Sequence, residues 1–209
     1  MKILGIDEAG RGPVIGPLVM CGVVIEEKQI KILERMGVKD SKRLTPARRS
    51  VLARKIKKMG EYELVKISAQ DIDNLRANEI NLNEIEKIGM MKIIKSSTFD
   101  KAIIDSVDIY PERLTNSIKD VLGHDLDIKS EHKADDNHIP VAAASIVAKV
   151  ERDIEIEKLT RKYKKMGPIG SGYPSDPKTK AFLNKFTFDE LPNFVRKSWS
   201  TAQKLKEKE

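Results

Sequence analysis

Cysteine is almost missing from this 209-residue chain. A single thiol, Cys21, excludes an internal disulfide and fits a reducing compartment. It sits in Leu18-Val19-Met20-Cys21-Gly22-Val23-Val24-Ile25, a run that predicts a buried strand, so packing is its expected role rather than nucleophilic chemistry. Histidine is scarce too. His124, His132 and His138 lack the spacing of zinc ligands, and with one cysteine no structural zinc site is expected. No long hydrophobic run exists. The longest apolar stretch, residues 13–25, carries Pro13 and Pro17 and falls short of the ~20 residues a membrane helix needs. Asp7, Glu8 and Arg11 interrupt the N-terminus where the apolar part of a secretory leader would run. A cytoplasmic protein with no membrane partner is expected. No glycine is followed by Lys-Ser/Thr as in a P-loop, and there is no Gly-x-Ser-x-Gly elbow. Gly10-x-Gly12 leads into Pro13 and a strand, which disfavours a dinucleotide site.

What is present is charge. Charged residues make up 34% of the chain against 40% hydrophobic ones, and the formal net charge is +7. This balance allows a full core and favours a polyanionic partner.

Apolar periodicity predicts strands at 2–8 and 17–25, joined by a tight turn. Asp40-Ser41-Lys42-Arg43-Leu44 reads as a polar loop. Thr45 then caps a helix with Pro46 at its first position, running to about Met59. Further strands are expected at 61–68, 102–105 and 126–129, and helices at 82–95 and from Pro111 to about Leu122. The clearest helix runs from Pro140 to about Met166, with Asp136 or Asn137 as its cap. Glycine breaks the pattern at residues 167–174, and a last helical region carries Phe182, Phe186, Phe194 and Trp199. Strands that come first as a meander and then mix with helices predict an α/β domain: a mixed central sheet flanked by helices, with a helical C-terminal part. One domain is expected over 1–209, with its C-terminal helical segment at about 176–209.

The chemistry concentrates in carboxylates at strand ends. Gly5-Ile6-Asp7-Glu8-Ala9-Gly10-Arg11-Gly12-Pro13 places two acids at the end of an apolar run, then a glycine turn with one arginine. Such hard oxygen ligands suit Mg²⁺ or Mn²⁺. Neighbours on a regular strand face opposite ways, so Asp7 and Glu8 share a site only where the strand ends or bends. Asp105 ends another buried strand, and Asp135 precedes the strongest helix. Four carboxylates brought together repel one another unless cations bind, which is the logic of a two-metal hydrolase. Taken singly, each acid has a plainer reading as a solvated strand exit or a helix cap. Lys42, Arg43, Lys133 and Lys149 are candidate phosphate contacts. Lys42 and Arg43 are equally compatible with a solvated loop, and Lys149 with a plain helix surface. Tyr173, in Gly172-Tyr173-Pro174, is either a ring held for a substrate sugar or a turn aromatic covering the core.

Taken together, these motifs resemble one family. The Gly5–Pro13 segment, Asp40-Ser41-Lys42, Asp105 and His132-Lys133-Ala134-Asp135 are joined by Ala143-Ala144-Ser145-Ile146-Val147-Ala148-Lys149-Val150-x-Arg152-Asp153, Gly170-Ser171-Gly172-Tyr173-Pro174-Ser175-Asp176 and Arg196-Lys197-Ser198-Trp199. This set resembles the type-2 ribonucleases H, particularly those of archaea, over nearly the whole chain. The resemblance implies a ribonuclease-H-like fold and a metal-dependent endonuclease. Its implied substrates are RNA–DNA hybrids and duplex DNA with embedded ribonucleotides, and its products carry 5′-phosphate and 3′-hydroxyl ends. It implies Asp7, Glu8, Asp105 and Asp135 as ligands of Mg²⁺ or Mn²⁺. It also implies that the Gly10-Arg11-Gly12 turn and Tyr173 sense the ribonucleotide 2′-OH, the one group that separates RNA from DNA at a given site, and its junction with DNA. Several archaeal relatives carry a C-terminal clamp-binding peptide with paired aromatics. Here Gln203 is followed by Lys204-Leu205-Lys206-Glu207-Lys208-Glu209, so no such peptide is expected, and the expected state is a monomer. Two other readings remain, a DNA-strand nuclease of similar fold and a non-catalytic basic binding protein. The glycine turn argues against the first, and the clustered acids against the second.

Overall fold

The computed structural model describes residues 1–207, apart from the side chains of Asp40, Ser41 and Lys42. In chain order the elements are β1 (Lys2–Ala9), β2 (Leu18–Glu26), α1 (Glu27–Arg35), α2 (Pro46–Met59), β3 (Glu61–Ile67), α3 (Ala69–Ala77) and α4 (Leu82–Ser96). There follow β4 (Lys101–Asp105), α5 (Pro111–Leu122), β5 (Ile128–Glu131), α6 (Ala134–Asn137), α7 (Ile139–Lys162), α8 (Pro177–Leu183) and α9 (Ser200–Lys206). Among the described residues no helix is long and apolar enough to cross a membrane.

The chain divides into two compact units. The first comprises residues 1–9, 19–65 and 83–150. Its five strands form one mixed sheet in the order β3-β2-β1-β4-β5. β1 pairs antiparallel with β2 from Lys2↔Glu26 to Ala9↔Val19, and parallel with β4 up to Ile6↔Ile104. β4 pairs parallel with β5, ending at Asp105↔Glu131. Strand alternation sends Val19, Cys21, Val23 and Ile25 to one face, where they pack on Leu52 and Ile56 of α2 and on Ala143, Ile146 and Val147 of α7. Cys21 is buried there, as a packing residue. β1 presents Ile3, Gly5 and Asp7 to that same face. Gly5 lets the helix in, because a Cβ there would stand 2.1 Å from the carbonyl carbon of Pro140. Backbone thus meets backbone where α7 crosses β1.

The second unit comprises residues 10–18, 66–82 and 151 onward. Its core is Val14, Ile15, Ile169, Phe182, Leu183, Leu191, Phe194 and Val195, closed by Ala202 and Leu205 of α9. Phe194 packs its ring against Tyr163 and Phe182, at centroid distances of 4.5 and 6.0 Å.

The structure corrects several sequence expectations. The link between β1 and β2 is no tight turn. Residues 10–17 are committed to the second unit, with Val14 N–H donating to Gly172 O and Arg196 N–H to Val14 O, both at 2.8 Å. Residues 38–43 form a 3-10 helix and not a loop. β5 lies two residues later than expected, because Ile128 and Ser130 are the buried pair. Asp136 and Asn137 belong to the separate α6, and α7 gives way to a short 3-10 turn at Lys164–Met166. Helices α1 and α3 are absent from the sequence expectation because each is only nine residues long, with Ile30 and Leu33 as the inward side of α1 and Ile72 as that of α3. Their caps were readable: Glu26 with Gln29, and Ser68 accepting from Asp71 N–H at 3.1 Å. The expected last helical region is two short helices separated by irregular chain.

Candidate active site

The first unit brings Asp7 and Asp105 together. β1 and β4 run parallel with Ile6 opposite Ile104, so the next residue on each strand is a carboxylate. Asp7 is buried, and burial pushes its carboxyl up from the usual 3.8 to about 7, with the negative charge of Asp105 adding to the rise. Hydrogen bonds from the Ser145 hydroxyl and from Glu8 N–H (2.7 Å), together with the charge of Lys149, hold it down in part. Helix α7 supplies two of these groups. From Pro140, where α7 meets β1, Ser145 lies five residues on, about 7.5 Å of helix rise. Asp7 lies two residues, about 7 Å, along the strand from Gly5. Serine and aspartate therefore arrive together. Lys149 follows Ser145 by one helical turn and donates to its Oγ at 2.6 Å. The serine hydroxyl then has its proton to give to Asp7.

Asp105 reaches the other way. Its Oδ1 accepts Ala134 N–H at 2.8 Å, which ties the end of β4 to the start of α6. Lys133 makes the entry with φ 57° and ψ 37°, the left-handed region that a non-glycine residue adopts at a cost. Two residues later Asp135 is buried. Beside Asp105 in the ladder stands Glu131, which pairs with His138 and with Lys129 Nζ at 2.5 Å.

Glu8 is placed differently. β1 keeps its ladder to Ala9↔Val19, so no bend falls between Asp7 and Glu8, and alternation assigns them to opposite faces. The ladder to β4 stops at Ile6↔Ile104, which opens that edge of β1 beside Glu8. Among the described residues no three acidic, histidine or cysteine side chains already close into a metal cluster. Arg43 and Lys133 are exposed, and Lys149 is half-buried. The side chain of Lys42 lies outside the described residues.

The second unit brings the other candidates together. Gly10 has φ 95°, and a Cβ there would meet Pro17 O at 2.6 Å and Arg152 Cδ at 2.7 Å. The Tyr173 ring lies 3.9 Å from where a Gly12 Cβ would stand. Tyr173 is 43% exposed, and its ring rests 5.3 Å from the Arg152 guanidinium carbon. Arg152 itself is buried and donates to Ser171 O at 3.2 Å. The loop is pinned from below. Asp176 accepts Ser171 N–H at 2.6 Å and Lys178 N–H at 2.9 Å, and these bonds hold its carboxyl down at about 2. Gly172 N–H donates to Thr179 Oγ1 at 3.0 Å.

The model of the ribonuclease HII family matches residues 4–202. The chain belongs to the ribonuclease HII family. It is 62% identical to ribonuclease HII of Methanobrevibacter smithii over 206 residues, covering 99% of both chains. Its fold matches the crystal structure of ribonuclease H2 from Pyrococcus horikoshii OT3 with a TM-score of 0.90 at 43% identity, over 100% of this chain and 98% of that one. It matches the ribonuclease HII of a PCNA:RNase HII complex from Archaeoglobus fulgidus with a TM-score of 0.88 at 42% identity, over 96% of each. The sheet with its flanking helices is thus the ribonuclease-H-like fold. Membership of ribonuclease HII makes the chain an enzyme, a metal-dependent endoribonuclease of the ribonuclease H type that acts on RNA paired with DNA.

Ser145 stands in the sequence motif with no role of its own, and the structure gives it one beside Asp7. Its signal was available: one hydroxyl in a fully buried run of Val, Ala and Ile, with a lysine four residues on.

Proposed function

We propose that the protein cleaves the RNA strand of RNA–DNA hybrids and also cuts at single ribonucleotides embedded in duplex DNA, leaving 5′-phosphate and 3′-hydroxyl ends. Two divalent ions, Mg²⁺ or Mn²⁺, are held in this reading by Asp7, Glu8, Asp105 and Asp135. The observation that carries it is the strand register that sets the buried Asp7 beside Asp105, where burial and that neighbouring charge push the Asp7 carboxyl up. A carboxylate in that state is short of positive charge, and hard oxygens fit Mg²⁺ and Mn²⁺ better than softer metals. When bound, such ions supply an activated water and neutralise the leaving oxygen of a phosphodiester.

The protein's own residues do the rest. Ser145 and Lys149 fix the orientation of the Asp7 carboxylate. Asp105 and Asp135 approach through the tie between Asp105 and Ala134 N–H. Glu8, next to Asp7 where the ladder from β1 to β4 has stopped, completes the set of four acids in this reading. Three residues after Asp7 the chain enters the Gly10-Arg11-Gly12 turn, which with Tyr173 senses the 2′-OH and the sugar beside it. Arg43, Lys133 and Lys149 contact phosphates in this reading, and Lys42 joins them on its sequence position alone.

The test uses an end-labelled duplex with one ribonucleotide, its all-DNA counterpart and a continuous hybrid. Cleavage of the first and third in Mg²⁺, with EDTA abolishing it and a 3′-hydroxyl at the cut, is the expected result. Cutting of the all-DNA duplex at a similar rate would refute it.

A further inference from the structure

The motif Arg196-Lys197-Ser198-Trp199 has no part in the chemistry above, yet Arg196 is a fully buried cation at 0% exposure. Burying a guanidinium is costly unless its donors are used. Arg196 spends them on backbone carbonyls: Nη2 on Gly10 O at 2.6 Å, Nη1 on Arg11 O at 3.1 Å and Nε on Gly16 O at 3.0 Å. Trp199 stacks on it, 4.7 Å from ring centroid to guanidinium carbon, and its indole N–H donates to Gly12 O at 3.2 Å. Every carbonyl of the Gly10-Arg11-Gly12 turn is thus held by one of these two side chains.

A trans peptide plane points its C=O and the following N–H in opposite directions. No cis peptide occurs among the described residues. Fixing Gly10 O and Arg11 O on Arg196 therefore aims the N–H groups of Arg11 and Gly12 away from it. Glycine planes flip easily because no Cβ restrains them, so an external clamp decides which face of this turn carries donors. We propose that Arg196, assisted by Trp199, is a positioning residue that presents the Arg11 and Gly12 amides to the ribose oxygen and so sets discrimination between ribonucleotide and deoxyribonucleotide. This inference rests on the functional reading above.

The test compares wild type, Arg196→Lys and Trp199→Phe. The lysine keeps the charge but loses the fork that reaches several carbonyls. The phenylalanine keeps an aromatic face and loses the indole N–H with part of the ring. Binding is measured in EDTA to a one-ribonucleotide duplex and to the all-DNA duplex of the same sequence. The expected result is a roughly tenfold loss of the affinity ratio in Arg196→Lys and a smaller loss in Trp199→Phe, the scale of one or two hydrogen bonds. Affinity for the all-DNA duplex and the melting shift caused by Mn²⁺ should stay at wild-type values, which separates positioning from general loosening. A folded Arg196→Lys with the wild-type ratio overturns the proposal.

Amide NMR on the wild type decides the matter if Arg196→Lys does not fold. The Arg11 and Gly12 resonances should move with the ribonucleotide duplex and not with the DNA duplex. Equal movement with both duplexes, or none, overturns the proposal. A wild type that neither cleaves nor prefers the ribonucleotide duplex overturns the functional reading and this inference together. A wild type that does both, beside variants that do so equally well, overturns this inference alone.

Discussion

Replacing Asp7 by asparagine should stabilise the metal-free protein, and only above acid pH. In the folded state burial and Asp105 raise the Asp7 carboxyl from 3.8 to about 7. A carboxyl that binds its proton more tightly when folded gives stability that is fully present below the unfolded value. That stability is lost as pH rises from about 4 towards 7, and above 7 the loss is constant. The gap between 3.8 and about 7 corresponds to roughly 4 kcal/mol, an upper bound because relaxation and water entry soften buried charges. Asparagine has nearly the shape of the protonated acid, and its carbonyl can still accept Glu8 N–H. At pH 8 in EDTA, Asp7→Asn should therefore gain about 1–4 kcal/mol, and at pH 4 less than about 1 kcal/mol. Urea unfolding at the two pH values measures both. A gain that does not change between pH 4 and pH 8, or a loss at pH 8, would mean that the Asp7 carboxyl is not raised by its burial.

Other perturbations follow from the same contacts. Asp105→Asn should lower kcat by at least ~10³, the scale of a lost catalytic group, while its melting temperature in EDTA is equal or higher; a clear drop in melting temperature would make Asp105 structural. Ser145→Ala removes a bond that lowers the Asp7 carboxyl, so the acid limb of the pH–rate profile should move to higher pH. Stability should fall by about 1 kcal/mol, and an unmoved limb would sever Ser145 from Asp7. Tyr173→Ala should cut kcat/KM on a one-ribonucleotide duplex about tenfold or more, a ΔΔG‡ of at least ~1.4 kcal/mol. Its melting point should barely move, since Asp176 and Thr179 hold the loop by backbone bonds; wild-type kcat/KM in a folded variant would reduce the ring to packing.

The parts of the fold that were legible in the sequence are those whose signal is local. β1, β2 and β4 read as apolar runs, and α2 announces itself through Thr45 and Pro46, which the structure uses as cap and first residue. Asp7 and Asp105 were visible because each acid interrupts such a run near its end. What stayed hidden is non-local. The link from Gly10 to Pro17 looks like a hairpin turn until its partners at Gly172 and Phe194, over 150 residues away, are known. Arg152 and Arg196 count towards net charge in a sequence, yet both are buried and spend their donors on carbonyl groups. Regular pairing to Ala9↔Val19 also removed the bend expected between Asp7 and Glu8. That bend depends on how far β2 follows β1, which two adjacent acids cannot reveal.

The buried Asp7, set against Asp105, is where the divalent ion is proposed to bind. Mn²⁺ titration with proton release followed in parallel tests it most directly. At pH 7 the wild type should bind Mn²⁺ and release roughly half a proton, because a carboxyl near 7 is half protonated and must lose that proton to become a ligand. At pH 8.5 binding should tighten and release fall close to zero. Asp7→Asn should bind far more weakly and release no proton at either pH. Wild-type Mn²⁺ affinity and proton release in a folded Asp7→Asn would remove Asp7 from the metal site.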